Sequence, residues 1–247
     1  MKVNEVHAKA ILSTSKIYDY VINPYVGCQH ACSYCYARFM KRFGGHKEPW
    51  GDFVDVKINA AELLRAEITK KRRASVWISG VCDPYQPLEA KYQLSRQCLE
   101  ILAHNDWPVV IQTRSPLVLR DLDILKAARH FEVGLTITTA DDAIRSLFEP
   151  NAPPILERLR TLDELHRAGI KTYAMIAPML PGAEFLASTL EGKIGYLLVD
   201  RMNYHYADWV YTKYGLADRR ADEFFHRTGR ELAAACQQLG IACRLTF

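Results

Sequence analysis

No stretch of this 247-residue sequence stays apolar for anything near the ~18 to 20 residues needed to cross a bilayer. The opening segment MKVNEVHAKAILSTSK has no apolar core of signal-peptide length either, so a cytoplasmic protein without membrane contact is expected. Internal repeats, low-complexity tracts and linker-like runs are missing too, which leaves a single domain over residues 1–247 as the expectation. Nor is there much net charge. The 32 Lys and Arg outweigh 28 Asp and Glu by only four, enough to tolerate an anionic ligand and short of the charge stripe of a dedicated nucleic-acid binder. A second short pair of cysteines is absent as well: Cys82 and Cys98 stand far apart, and Cys236 and Cys243 form no Cys-x2-Cys hook.

What is there is concentrated. Three of seven cysteines lie within the stretch NPYVGCQHACSYCYARFM, residues 23–40, as Cys28, Cys32 and Cys35. In a reducing compartment such crowding argues for metal or redox chemistry over disulfides.

The rest of the chain alternates strand and helix patterns. YDYVINPYV before Cys28, SVWISG (75–80), PVVIQT (108–113), EVGLTITT (132–139), KTYAMIAPM (171–179) and IGYLLVD (194–200) are short apolar or β-branched runs, each predicting a buried parallel strand. Helical periods fall between them: Leu94, Cys98, Ile101 and Leu102; then Leu122, Leu125 and Ala128; then Ile155, Leu159, Leu162 and Leu165, entered by Pro153 and Pro154 and closed by Gly169. A final helix over 222–239 precedes a last strand, IACRLTF. Six βα units predict an α/β fold, a partial (β/α)6 TIM-like barrel of parallel strands, with a doubly wound open sheet as the rival. In such a barrel the unusual residues share the face at the carboxyl ends of the strands, where active sites are built. The cysteine loop follows strand one, VCDPYQPLE strand two, Arg114 and Ser115 strand three, and Thr138 and Thr139 end strand four.

Thiolates bind zinc and iron-sulfur clusters alike. Structural zinc wants four ligands, and here His30 could supply a fourth only from inside the same loop. A 4Fe-4S cubane on three cysteines instead keeps one iron open for an exogenous ligand, so the missing fourth cysteine marks a place for substrate or cofactor.

The Cys28-x3-Cys32-x2-Cys35 pattern, with aromatic Tyr34 just before the last cysteine, resembles the signature of the radical S-adenosylmethionine enzymes. The blocks CSYCYAR, GVCDPYQPLE, QTRS, LTITTADDAIRSLFEPNAP and IAPMLPG extend the resemblance over most of the chain, to the spore photoproduct lyase-like branch. This resemblance implies a 4Fe-4S cluster on the three cysteines, with the open iron chelating the amino and carboxylate groups of S-adenosyl-L-methionine. One electron, from a reductant such as flavodoxin or ferredoxin, then releases methionine and a 5'-deoxyadenosyl radical that abstracts hydrogen from substrate. It places Tyr34 against the adenine, Gly80 with Ser79 beside the methionine amino group, Arg114 on its carboxylate, and Thr138 and Thr139 near the ribose. The plainer readings are a helix-packing tyrosine, a solvated arginine and ordinary strand threonines.

The lyases of that branch carry a hydrogen-donating cysteine three residues before an aspartate. Counting back from Asp83 reaches Gly80, and Cys82 lies two residues away, a departure that leaves the substrate open, nucleic acid included. Cys82 and Tyr36, the latter matching a tyrosine those lyases use to return hydrogen, are the candidate catalytic residues. The loop DRMNYHYADWVYTKY, with Asp200, Arg201, Asn203, His205 and five aromatics, suits a substrate pocket or a plug for an open barrel mouth. KKRR (70–73) reads as a solvated helix end. The alternative from another class is a non-catalytic zinc- or iron-sulfur-binding module that docks nucleic acid or protein.

Overall fold

The structure is a computed structural model that describes all residues, 1–247. The chain forms two compact units, one of residues 1–31 and 37–133, the other of residues 32–36 and 134–247.

The first unit begins with β1 (Lys2–Val6), β2 (Leu12–Thr14), β3 (Tyr20–Ile22) and β4 (Tyr25–Val26). After the short α1 (Lys41–Gly44) come β5 (Phe53–Lys57), α2 (Ala60–Ile68), β6 (Val76–Ile78), α3 (Glu89–Tyr92), α4 (Leu94–His104), β7 (Val109–Thr113) and α5 (Leu122–Ala127). β8 (Phe131–Thr136) starts in this unit and ends in the other. The main sheet here runs in the order β2-β3-β6-β7-β8. β3, β6 and β7 pair in parallel, and β2 closes the edge antiparallel to β3.

The long first strand expected before Cys28 is two strands. β3 ends at Ile22, and Tyr25 and Val26 pair instead with β5 in a separate small sheet of order β1-β5-β4. Pro24 has no N–H to continue a ladder, and the Asn23 side chain turns to accept the Val81 N–H at 3.1 Å, so the chain leaves the main sheet there. The sequence pattern had assigned β1 and β5 no strand. They pair in parallel over five residues, and Phe53, Val54 and Val56 are fully buried.

The second unit takes up β8 and continues through α6 (Asp142–Phe148), α7 (Ile155–Arg167), β9 (Lys171–Ile176), α8 (Leu186–Leu190), β10 (Tyr196–Val199), α9 (Asp208–Lys213), α10 (Asp222–Gln238) and β11 (Ala242–Leu245). Its sheet order is β8-β9-β10-β11, with β10 parallel to both neighbours. Every residue of β8 is buried, as expected for a central strand covered on both faces. α10 turns Phe224, Phe225, Thr228, Leu232 and Cys236 inward at helical spacing, each phenylalanine contributing about 1.5–3 kcal/mol of burial. The fold class is α/β with a parallel-strand sheet, as the alternating pattern predicts.

Candidate active site

The motif loop is held by its neighbours in both units. In the first, Gly27 stands at φ +93°, and a Cβ there would lie 2.3 Å from the Phe53 carbonyl oxygen, so glycine is the residue that lets the chain enter the loop. The buried Gln86 amide donates to the Gly27 carbonyl at 3.2 Å and accepts the Gln29 N–H at 3.0 Å. The Leu88 N–H in turn donates to the Gln29 side chain at 2.6 Å. The segment DPYQPLE therefore clamps the loop around Cys28, a job the sequence alone did not reveal.

Asp83 in the same segment is a hub. Its carboxylate accepts the Thr113 hydroxyl at 2.6 Å, the Arg114 N–H at 2.8 Å and the Tyr85 N–H at 2.9 Å. It also pairs with the His30 ring at 3.4 Å. Burial alone would raise Asp83; the His30 charge and these donors overcome it and hold the carboxyl at about 2. Burial alone would lower His30, and Asp83 together with the Cys28 thiol holds it up at about 10. Among the candidate cofactor contacts, Arg114 is thus positioned through its backbone by Asp83.

Ser79 follows β6 in the left-handed region, φ +67°, and its hydroxyl accepts the Cys82 thiol at 3.3 Å. Burial pushes Cys82 up to about 12, so it is a thiol, not a thiolate, at neutral pH. The space beside Gly80 is taken: a Cβ there would meet the Trp77 ring at 3.0 Å and Val21 at 3.3 Å. The glycine expected to admit a ligand makes room for protein on that side.

In the second unit the span from Cys32 to Tyr36 is held from α6. The Ser33 N–H donates to the Phe148 carbonyl at 2.8 Å, and the Tyr34 hydroxyl donates to Glu149. Thr138 and Thr139 have no exposed surface. Thr138 donates to Glu149 at 3.0 Å and Thr139 to the Pro181 carbonyl at 2.6 Å. Their donors are thus directed inside the protein, and each hydroxyl oxygen keeps its acceptor capacity. Tyr36 is exposed and stacks on Tyr204 at 6.1 Å, which stacks on Tyr206 at 5.8 Å, so it does not pack a helix. The loop 200–214 largely satisfies itself: Asp200 accepts from Arg201 N–H and Asn203, and Asp208 from His205 and Arg220. The basic run pairs locally as well, Arg73 with Asp106 and Lys71 with Glu67.

The profile of the Radical SAM superfamily matches residues 22–184. The uncharacterized protein MJ0683 of Methanocaldococcus jannaschii is 37% identical over 183 residues, covering 73% of this chain and 69% of that protein. A radical SAM Nalpha-GlyT isomerase of Pseudomonas phage M6 is 26% identical over 161 residues, 64% of this chain and 33% of the isomerase. Among solved structures, a spore photoproduct lyase complexed with dinucleoside spore photoproduct superposes with a TM-score of 0.74 at 16% identity, covering 99% of this chain and 82% of the other. A three-cysteine loop after the first parallel strand of the main α/β sheet fits a cofactor-dependent radical enzyme. The chain belongs to the radical SAM superfamily, whose enzymes use a 4Fe-4S cluster and S-adenosyl-L-methionine.

The residues present fit that cofactor pair. Cys28, Cys32 and Cys35 are all free of disulfides, and three thiols leave a four-iron cluster one open position. A zinc site would need a fourth ligand, and His30, the one further candidate on the loop, pairs with Asp83. No helix is long and apolar enough to cross a membrane.

Proposed function

We propose that Cys28, Cys32 and Cys35 ligate the 4Fe-4S cluster, that Tyr34, Ser79, Gly80 and Arg114 surround S-adenosyl-L-methionine, and that Thr138 and Thr139 support this site from within. The observation that carries the reading is the set of three thiols outside any disulfide on a loop whose Gln29 is held by Gln86 and whose Ser33 and Tyr34 are held by Phe148 and Glu149. When bound, the two groups would supply one-electron reductive cleavage of the cofactor and, through it, hydrogen abstraction from substrate. The chain's own residues orient that chemistry. Arg114, its backbone fixed by Asp83, presents a planar cation suited to a carboxylate. Cys82, kept as a thiol by burial, is the nearby group able to give a hydrogen atom, and the exposed Tyr36 stands one residue beyond Cys35. A one-electron donor such as flavodoxin or ferredoxin serves as partner, and a reducing cytoplasm suits seven free cysteines.

The substrate is left open by the departure from the lyase pattern at the donor position. The donor cysteine of that branch falls here at Gly80, and Cys82 is bonded to Ser79, so we infer that irradiated DNA is not returned to thymine. Anaerobic protein is expected to bind about four irons per chain and, when reduced with S-adenosylmethionine, to release 5'-deoxyadenosine slowly. Cys28→Ala, Cys32→Ala or Cys35→Ala removes the iron; Cys236→Ala or Cys243→Ala keeps it. Retention of a full cluster by Cys32→Ala, or a full reducible cluster that yields no 5'-deoxyadenosine, would refute the proposal. Candidate DNA, tRNA, peptide and metabolite pools then separate by which one accelerates that release.

A further inference from the structure

Glu149 is fully buried, and so is the arginine that faces it, Arg158. The carboxylate accepts three donors: the Tyr34 hydroxyl, the Thr138 hydroxyl at 3.0 Å and the Arg158 guanidinium. Arg158 spends its other nitrogens on backbone, Nε on the Pro153 carbonyl at 2.8 Å and Nη1 on the Thr136 carbonyl at 3.1 Å. Arg145 braces the same turn from behind, donating to the Glu149 carbonyl at 3.0 Å and the Ala152 carbonyl at 3.2 Å. Each charge thus has a partner and each Arg158 nitrogen an acceptor, the condition under which a buried ion pair fixes one geometry.

The pair acts on the motif. Phe148 and Glu149 are consecutive, and they hold the consecutive Ser33 and Tyr34, the two residues between Cys32 and Cys35. One end of α6 therefore grips the cysteine span by its backbone and by its aromatic side chain. With its hydroxyl tied to a carboxylate that cannot itself move, the Tyr34 ring has one pose.

We propose that Glu149, held by Arg158, is a positioning residue for the cofactor site: through the Tyr34 hydroxyl it fixes the ring and the Cys32 to Cys35 span before S-adenosylmethionine arrives. This rests on the cluster reading above. Preorganisation of this kind removes an ordering cost from binding, so its loss shows in affinity and in the electronic signature of the cluster.

Tyr34→Phe isolates the contact, since it keeps the ring and leaves Glu149 paired with Arg158. Iron content, the electron paramagnetic resonance of the reduced cluster with and without S-adenosylmethionine, and the Kd for S-adenosylmethionine are measured for wild type, Tyr34→Phe, Glu149→Gln and the double variant. Tyr34→Phe should melt with wild-type Tm and hold about four irons per chain. Its Kd should rise roughly tenfold, the scale of one lost hydrogen bond to a charged group, and its cofactor-bound resonance should broaden. Adding Glu149→Gln to Tyr34→Phe should raise Kd by under about threefold more, because the contact is already gone. Unchanged Kd and resonance in Tyr34→Phe, or independent multiplication of the two effects, overturns the inference alone. A wild-type protein that takes up no iron overturns the cluster reading and this inference with it.

Discussion

Asp83 illustrates how one carboxylate organises residues drawn from distant parts of the chain. His30 lies on the motif loop, Tyr85 in the same turn, and Thr113 and Arg114 at the end of β7, and all four converge on it. Removing one partner of a buried pair leaves the other charge uncompensated, so Asp83→Ala is expected to cost about 3–5 kcal/mol in urea unfolding of the cluster-free protein at pH 7. The acid limb carries a second signature. The carboxyl sits at about 2 in the fold, below its unfolded value of about 3.9. Its contribution is therefore complete above about pH 4 and is lost as pH falls through about 2. The stability gap between wild type and Asp83→Ala should narrow as pH falls from about 4 toward 2; a gap under about 1 kcal/mol at pH 7, or one unchanged between pH 4 and pH 2, contradicts this. At this scale the sequence displayed the ligands and little of what holds them. Cysteine spacing is local and can be read directly, whereas Asp83, Gln86, Glu149 and Arg158 acquire meaning only from partners that the fold brings from up to 115 residues away. Ser79 and Ala31 adopt left-handed backbone without being glycine, so residue type gave no warning of either turn.

Strands and helices with strong periodicity were legible, β6 through β11 among them, because buried parallel strands are short apolar runs with Gly or Pro at their ends. β1 and β5 were not. Each is five residues long, and their stability comes from pairing with one another across fifty positions, which no local pattern encodes. Packing between strands of the second unit supports a sharper expectation. Tyr173 of β9 stands opposite Tyr196 of β10, their rings parallel at 5.1 Å, and the Tyr173 ring lies over Gly134 of β8. A Cβ at position 134 would come within 2.1 Å of that ring, which is buried and has nowhere to retreat. Gly134→Ala should therefore destabilise the protein by about 1–3 kcal/mol, the usual cost of overpacking. Pairing it with Tyr173→Leu should cost less than the two single changes added together, since the shorter side chain relieves the clash. Strictly additive unfolding free energies would show that Gly134 is not there for the ring.

Seven free cysteines distributed over the whole chain give a map that tests fold and site together. Cys98 and Cys236 have no exposed surface, and Cys28 and Cys32 are buried, which leaves Cys35, Cys82 and Cys243 within reach of an alkylating reagent. The thiolate is the reactive form. Burial holds Cys82 up at about 12, and the adjoining Cys236 thiol together with burial pushes Cys243 well above the ordinary range. Both should label slowly at pH 8. In native cluster-free protein, Cys35 should therefore react first with iodoacetamide, read residue by residue by mass spectrometry. Loading the cluster should silence Cys35 and leave Cys82 and Cys243 at their slow rates, because neither belongs to the three-thiol loop. Between pH 8 and pH 10 the Cys82 rate should climb about tenfold per pH unit, as expected for a group still far below its midpoint. In denaturant, the cluster-free chain should expose seven equivalent thiols, confirming that none is spent in a disulfide. Labelling of Cys98 or Cys236 ahead of Cys35 would contradict the packing, and a Cys35 that stays equally reactive in iron-loaded protein would remove it from the cluster.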